Sequence, residues 1–248
     1  AHSTAIFPVI PTRIKSMNNE NLSREEAAER SALISVDTYD VHVDLTNAKD
    51  PEFESYPTAT TVRFSCNTPG AETFIDYIHH SIDSIKLNGV ELKLDEVVDG
   101  ARIRLANLKA ENVLTIHGRS YYSRSGEGLH RYTDPEDGEV YLYTQFEPND
   151  AHRAWPCIDQ PDVKPEWTFH VIAPAGWGVS SNGIETGVEA VDERGALRHD
   201  FTPTRPLSSY ITAIVAGPWA VIEGGTWSGG ASDGGHAELA LRLLCRRT

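Results

Sequence analysis

The chain has 248 residues, 36 of them acidic and 22 basic, for a formal net charge of −14, and 40% of it is hydrophobic. This length and apolar content suit one large domain or two small ones with a sizeable core, and they exclude a disordered chain. The acidic balance disfavours nucleic acid as a partner, because a phosphate backbone needs clustered Lys and Arg. The three cysteines, Cys66, Cys157 and Cys245, are too few and too far apart for a disulfide framework, which points to a reducing compartment. Residues 1–16 hold no apolar run of signal-peptide length, and the longest apolar run, around Ile211 to Ala216, falls far short of a membrane span. The expectation is a cytoplasmic protein without a membrane partner.

Residues 1–20 read as a disordered leader segment, with Met17, the only methionine, as a natural start, and residues 21–248 read as the domain proper. Ser23-Arg24-Glu25-Glu26 is a capping box that opens a helix running to about Leu33. The periodicity then changes to two. Tyr39, Val41, Val43 and Leu45 alternate with Asp40, His42 and Asp44, as on a half-buried strand, and Val62, Phe64 and Cys66 repeat the pattern. Asn88-Gly89 between alternating apolar residues predicts a tight hairpin, since both turn positions need positive φ. Further strands are predicted at Arg102 to Leu105, Val113 to His117, Val140 to Glu147, Trp167 to Ile172 and Leu197 to Phe201. Tyr210 to Ala216 reads as a fully buried strand, and Leu239, Leu241 and Leu243 alternate again. The Gly- and Ser-rich stretch Gly224 to Gly235 reads as a mobile loop. The fold class expected is mostly β: an antiparallel, sandwich- or saddle-like domain with a short N-terminal helix.

Signals for chemistry are sparse. The ten histidines include no H-E-x-x-H and no H-x-H, and His79 and His80 are adjacent and read as surface residues. There is no nucleophile elbow and no phosphate loop, and Gly126-Glu127-Gly128 is a lone G-x-G. Pro156-Cys157 lacks the second cysteine of a zinc deaminase motif, because Gln160 stands there. One run stands out: Tyr141 to Pro148, followed by Ala151 to Pro161. On an extended strand Tyr141, Tyr143, Gln145 and Glu147 share one face, and Val140, Leu142, Thr144 and Phe146 share the other, core-facing one. Gln145 and Glu147 would then present an amide oxygen and a carboxylate about 7 Å apart, two acceptors suited to a primary ammonium. On spacing alone, a solvated strand-end carboxylate is the simpler account of Glu147.

The same run resembles the N-terminal domain of zinc aminopeptidases of the aminopeptidase N type, in which T-Q-F/C-E-P precedes A-R-x-x-F-P-C-x-D-x-P. Here the first motif is Thr144-Gln145-Phe146-Glu147-Pro148, and the second aligns through Ala151, Arg153, Pro156, Cys157, Asp159 and Pro161, with Trp155 in place of Phe and His152 where Arg is common. Tyr39-Asp40-Val41, Ser181-Asn182-Gly183 and Ser208 to Gly217 resemble other segments of that family, and Asn21 to Ala27 resembles its actinobacterial members. The resemblance implies a domain that precedes a catalytic domain absent from this chain. That domain would carry the zinc ligands, so neither a catalytic residue nor a bound metal is expected here, and the chain by itself is expected to be inactive. By the same resemblance Glu147 binds the α-ammonium of a peptide substrate, Gln145 lines the first side-chain pocket, and Cys157, Asp159 and Pro161 are structural. The implied partners are peptide substrates and the catalytic domain. Two alternatives differ in class. An epoxide hydrolase of the leukotriene-hydrolysing type would carry Q-x-Q at the strand end, where this chain has Gln145 and Glu147. A non-catalytic interaction or carbohydrate-binding module would expose an aromatic row such as Tyr141, Tyr143, Trp155 and Trp227.

Overall fold

The computed structural model describes residues 20–191, 193, 195–230 and 236–247, so nearly all of the predicted leader lies outside it. Helix α1 (Arg24–Leu33) begins as its capping box dictates: Ser23 Oγ accepts from the Glu26 backbone N–H at 3.1 Å, and the Glu26 carboxylate accepts from the Ser23 N–H at 2.9 Å. The β-region backbone of Ile34 then turns the chain directly into β1 (Ile34–Asp44), which pairs antiparallel with β2 (Ser55–Cys66). A side layer follows with β3 (Thr73–Asp76). The Asn88-Gly89 turn joins β4 (Ser81–Leu87) to a two-residue β5 (Val90–Glu91) with φ of 54° and 82° at the two turn positions. A short α2 (Leu94–Val97) leads to β6 (Val98–Asp99), β7 (Arg102–Leu105) and the long β8 (Glu111–Ser123). The chain continues through β9 (Gly128–Thr133), β10 (Val140–Gln145), β11 (Glu166–Ala173), β12 (Gly178–Ser181), β13 (Glu185–Ala190), β14 (Leu197–Phe201) and β15 (Ile214–Gly217). It closes with a hairpin of β16 (Ala220–Gly230) and β17 (His236–Cys245).

Twelve of these strands form one sheet, ordered β12-β15-β10-β9-β8-β2-β1-β11-β14-β13, with β4 paired to β8 and β5 to β4; β3, β7 and β6 form a separate small sheet. The core lies between them. Tyr39, Val41 and Val43 of β1, Val62 and Phe64 of β2, and Leu114 and Ile116 of β8 are all at most 3% exposed, and they share one cluster with Ile75 and Ile103 of the small sheet. The alternating residues Asp40, His42 and Asp44 point to the other side of the main sheet.

The mostly β class agrees with expectation, but the main sheet is mixed rather than antiparallel: β11 runs parallel to β1 and β9 parallel to β8. Side-chain alternation reports which face of a strand is buried, not which strand lies beside it. The expected strand at Tyr210 to Ala216 is shorter. Ser209–Ile211 forms a 3-10 turn with Ile211 48% exposed, and only Ile214–Gly217 pairs. The Gly-rich stretch is not a loop over most of its length but the strand β16. Gly225, with φ 75°, sits within the register shift between Glu223 and Thr226, and a Cβ on Gly224 or Gly229 would press on Leu241 or on the Trp227 ring at 3.0 and 2.4 Å.

Candidate functional site

Strand β10 is held by β9 on one side, with Gln145 opposite Gly128, and by β15 on the other, with Tyr143 opposite Val215. The Thr144 hydroxyl oxygen accepts from the Ile214 N–H at 3.0 Å, so even the side chain between the two outward positions is tied to β15. Leu142 and Phe146 are buried; Tyr143, Gln145 and Glu147 are exposed. The strand itself stops at Gln145. Glu147 lies in the turn that follows, its peptide bond to Pro148 is cis, and the Gln145 amide oxygen accepts from the Glu147 N–H at 3.3 Å. The period-two burial nonetheless continues one step past the strand, because Phe146 packs edge-on against Trp155, 5.1 Å between centroids, and this turns Glu147 outward. Among the described residues no cation is paired with the Glu147 carboxylate. Beside this strand end, a cleft of about 370 Å³ is lined by Tyr121, Arg124, Glu127, Gly128, Arg131 and Arg153 rather than by Gln145 or Glu147.

Tyr141 departs from the face assigned to it. It is 2% exposed and packs on Trp219, 4.6 Å between ring centroids, so the segment after β15 covers the start of β10 while Tyr143, 40% exposed, stays open. Trp155 is fully buried among Phe146 and Phe169. The row Tyr141, Tyr143, Trp155 and Trp227 is therefore not a stacking surface, which removes the feature that favoured a carbohydrate-binding module.

The second motif forms the buried floor behind the strand end. Cys157 exchanges backbone hydrogen bonds with Asp76 of β3, and burial pushes its thiol pKa up. The Asp159 carboxylate accepts from the His152 N–H at 3.1 Å, lies 2.7 Å from His152 Nδ1, and accepts from the Ser209 hydroxyl. Asp76 in turn accepts from Arg30 Nη1 at 2.8 Å and from the Asp159 N–H at 3.2 Å, and Gln160 Oε1 accepts from Arg30 Nε. Through Asp76, Asp159 and Gln160 this network ties helix α1, the small sheet and the turn after β10 together. His152, which on the resemblance stands at a common Arg position, is one of the members of this network.

The zinc implied by the resemblance needs an H-E-x-x-H ligand set, and no such segment occurs in the sequence. The chain therefore lacks the ligand set of that catalytic zinc site. The absence of a linear ligand motif does not, however, keep histidines and carboxylates apart in the fold. Among the described residues Asp40 and His42 of β1 converge with His170 of β11. Asp40-x-His42 was legible as a pair on one strand face; its partner was not, because it arrives on a parallel strand. In the sheet order β1 is four strands away from β10, so this cluster is not part of the surface around Glu147. Among the described residues no helix is long and apolar enough to cross a membrane.

Comparison with known proteins covers the same ground. Residues 35–211 match the Peptidase M1 N-terminal domain, from the second residue of β1 to the turn before β15. An aminopeptidase N of Streptomyces lividans is 41% identical over 204 residues, which is 82% of this chain and 23% of that protein. An aminopeptidase N of Haemonchus contortus is 36% identical over 110 residues, 43% of this chain and 11% of that protein, and a glutamyl aminopeptidase of Homo sapiens is 32% identical over 104 residues, 41% of this chain and 11% of that protein. The chain therefore spans less than a quarter of the length of these relatives. With the matched span holding both motifs and the strands that carry them, this chain belongs to the Peptidase M1 N-terminal domain family.

Proposed function

We propose that the chain serves as the amine-recognising N-terminal domain of a cytoplasmic zinc aminopeptidase of the aminopeptidase N type, in which a separate catalytic domain supplies the zinc and cleaves the first residue from a peptide. The observation that carries this reading is the exposed Glu147 carboxylate, without a cationic partner among the described residues, two residues beyond Gln145 at the end of β10. Each named relative is an aminopeptidase. A free N-terminus is a cation over most of the neutral range, with a pKa of about 8. When substrate closes the site the ammonium loses water and needs a carboxylate in its place, because an unpaired buried charge is strongly unfavourable. Glu147 supplies that charge. Gln145, whose amide oxygen already caps the Glu147 N–H, holds the turn and offers a neutral acceptor beside it. A Gln at position 147, as in the epoxide-hydrolase pattern, would lack the charge.

The test uses the full-length enzyme. Loss of one partner of a buried, hydrogen-bonded charge pair costs about 2–5 kcal/mol, so Glu147→Ala lowers kcat/KM by roughly tens- to thousands-fold at about 1.4 kcal/mol per factor of ten. Gln145→Ala costs less, since the charge pair survives. Near wild-type kcat/KM in Glu147→Ala, with the preference for free over N-acetylated substrates intact, would refute the assignment. The 248-residue chain alone should not hydrolyse aminoacyl chromogenic substrates.

A further inference from the structure

Asp40 and His42 stand two residues apart on β1 and so leave the same, outer side of the main sheet. In the parallel register His170 lies opposite His42. Their imidazoles stack with centroids 4.3 Å apart and 15° between planes. The Asp40 carboxylate faces both: Oδ1 is 2.8 Å from His42 Nε2, and Oδ2 is 3.7 Å from His170 Nε2. The donor atoms of all three residues fall within 4.8 Å of one another. On the far side of His170, Nδ1 meets Asp200 Oδ1 of β14, while Asp200 Oδ2 accepts from Arg198 Nε and Nη2 at 3.1 and 3.0 Å. An imidazole that gives its Nδ1–H to a carboxylate keeps its lone pair on Nε2. That chain of carboxylate, imidazole and metal is how metal-binding histidines are usually held.

We propose that Asp40, His42 and His170 form a site for one divalent transition-metal ion of the zinc type on the outer face of the main sheet. This inference does not depend on the aminopeptidase reading. Two imidazole nitrogens and one carboxylate oxygen suit zinc, cobalt, nickel or copper, whereas calcium and magnesium prefer shells of oxygen alone. Three protein ligands leave a fourth position for water. Tetrahedral zinc with ligands at about 2.0–2.1 Å holds its donor atoms about 3.4 Å apart, and the two Asp40 separations, 2.8 and 3.7 Å, lie on either side of that value. His170, with 22% of its side chain exposed and anchored by Asp200, is the fixed point; the His42 side chain is 53% exposed and can turn its ring out of the stack to face the ion. With both imidazoles neutral, Asp40 and Asp200 against Arg198 leave one net negative charge. Asp44 and Asp83 add to it from the adjoining cleft of about 170 Å³, which His117 also lines and which the small Ala59, opposite His42 on β2, leaves open.

The 248-residue chain, stripped with chelator and dialysed, is titrated with zinc by calorimetry and with cobalt by visible absorption. One ion per chain is expected, with a visible spectrum of tetrahedral cobalt. His42→Ala and His170→Ala should each abolish that binding. Asp200→Asn, which leaves the three donors in place, should weaken it about 10- to 100-fold, and His80→Ala, remote from the cluster, should leave it unchanged. Thermal melts check that the variants are folded; if His170→Ala is not, the half-exposed His42→Ala decides. An absence of stoichiometric binding by the folded parent chain would show that the cluster is an ion-pair network only. Binding that survives both histidine substitutions would place the ion elsewhere. Either result overturns the proposal.

Discussion

Arg30 is the residue whose replacement should tell most about how the second motif holds the domain together. It sits on α1 yet is 2% exposed, with Nη1 2.8 Å from Asp76 Oδ2 and 3.3 Å from the Phe74 carbonyl, Nε on Gln160, and its guanidinium 4.5 Å above the Phe74 ring. Arg30→Met keeps most of the apolar stem but strands the Asp76 carboxylate, 6% exposed, with the Asp159 N–H as its remaining donor. Breaking a buried pair in this way costs about 3–5 kcal/mol. For a domain of this size each kcal/mol moves Tm by about 2–4 °C, so Tm should fall by roughly 6–20 °C. The double variant Arg30→Met/Asp76→Leu should recover much of that loss, because an apolar pair of similar volume replaces a charged pair at little net cost. It should not recover all of it, since the Asp159 N–H then lacks its acceptor at about 1–3 kcal/mol. Thermal melts of the two single variants and the double one complete the cycle. A Tm for Arg30→Met within about 2 °C of the parent would mean that the buried network does not anchor the helix, and the reasoning would fail.

Other outcomes follow from single contacts. The Arg102 guanidinium hydrogen-bonded to Glu26 holds its carboxyl down at about 2; a folded-state pKa below the unfolded value contributes stability above about pH 4.5 that is lost as pH falls toward 2. Glu26→Gln lacks this titration, so the Tm gap between parent and variant should shrink on going from pH 5 to pH 2, and a gap that stays constant would contradict the pairing. A Cβ on Gly183 would lie 2.2 Å from the Thr202 carbonyl oxygen, just after Asn182, whose side chain accepts from the Ala213 N–H at 2.6 Å and donates to the Ile211 carbonyl at 2.9 Å. Gly183→Ala should therefore cost about 1–3 kcal/mol in a urea titration. Trp155→Ala should cost about 3–5 kcal/mol. Trp155→Phe should cost markedly less, because the aromatic contacts to Phe146 and Phe169 can persist and the buried indole Nε1, without a partner here, is removed; equal losses in the two variants would argue against this packing.

What the sequence determined by itself was local or carried by motif. The capping box at Ser23, the Asn88-Gly89 turn, the strand Arg102–Leu105 and the strand Leu197–Phe201 were all legible, because each depends on neighbours a few residues away. Thr144 to Pro161 marks the family and its candidate residues, and of the three positions expected to be structural Cys157 and Asp159 are buried while Pro161 is exposed. Exposure was read correctly for Tyr143 and Gln145 of β10 and for Glu147 in the turn after it, but not for Tyr141, since the ring that covers it, Trp219, comes from beyond β15. Gly224 to Gly235 reads as a loop because glycine weakens strands on average; only the facing Leu241 and the overlying Trp227 explain why Gly224 to Gly230 is strand. The parallel pairing of β1 with β11 was invisible, because period-two patterning fixes a face and leaves the neighbour open, while a slip of one residue would turn His170 to the opposite side. The tertiary structure alone decided that Asp40, His42 and His170 meet, because metal-ligand geometry depends on the register between strands far apart in the chain.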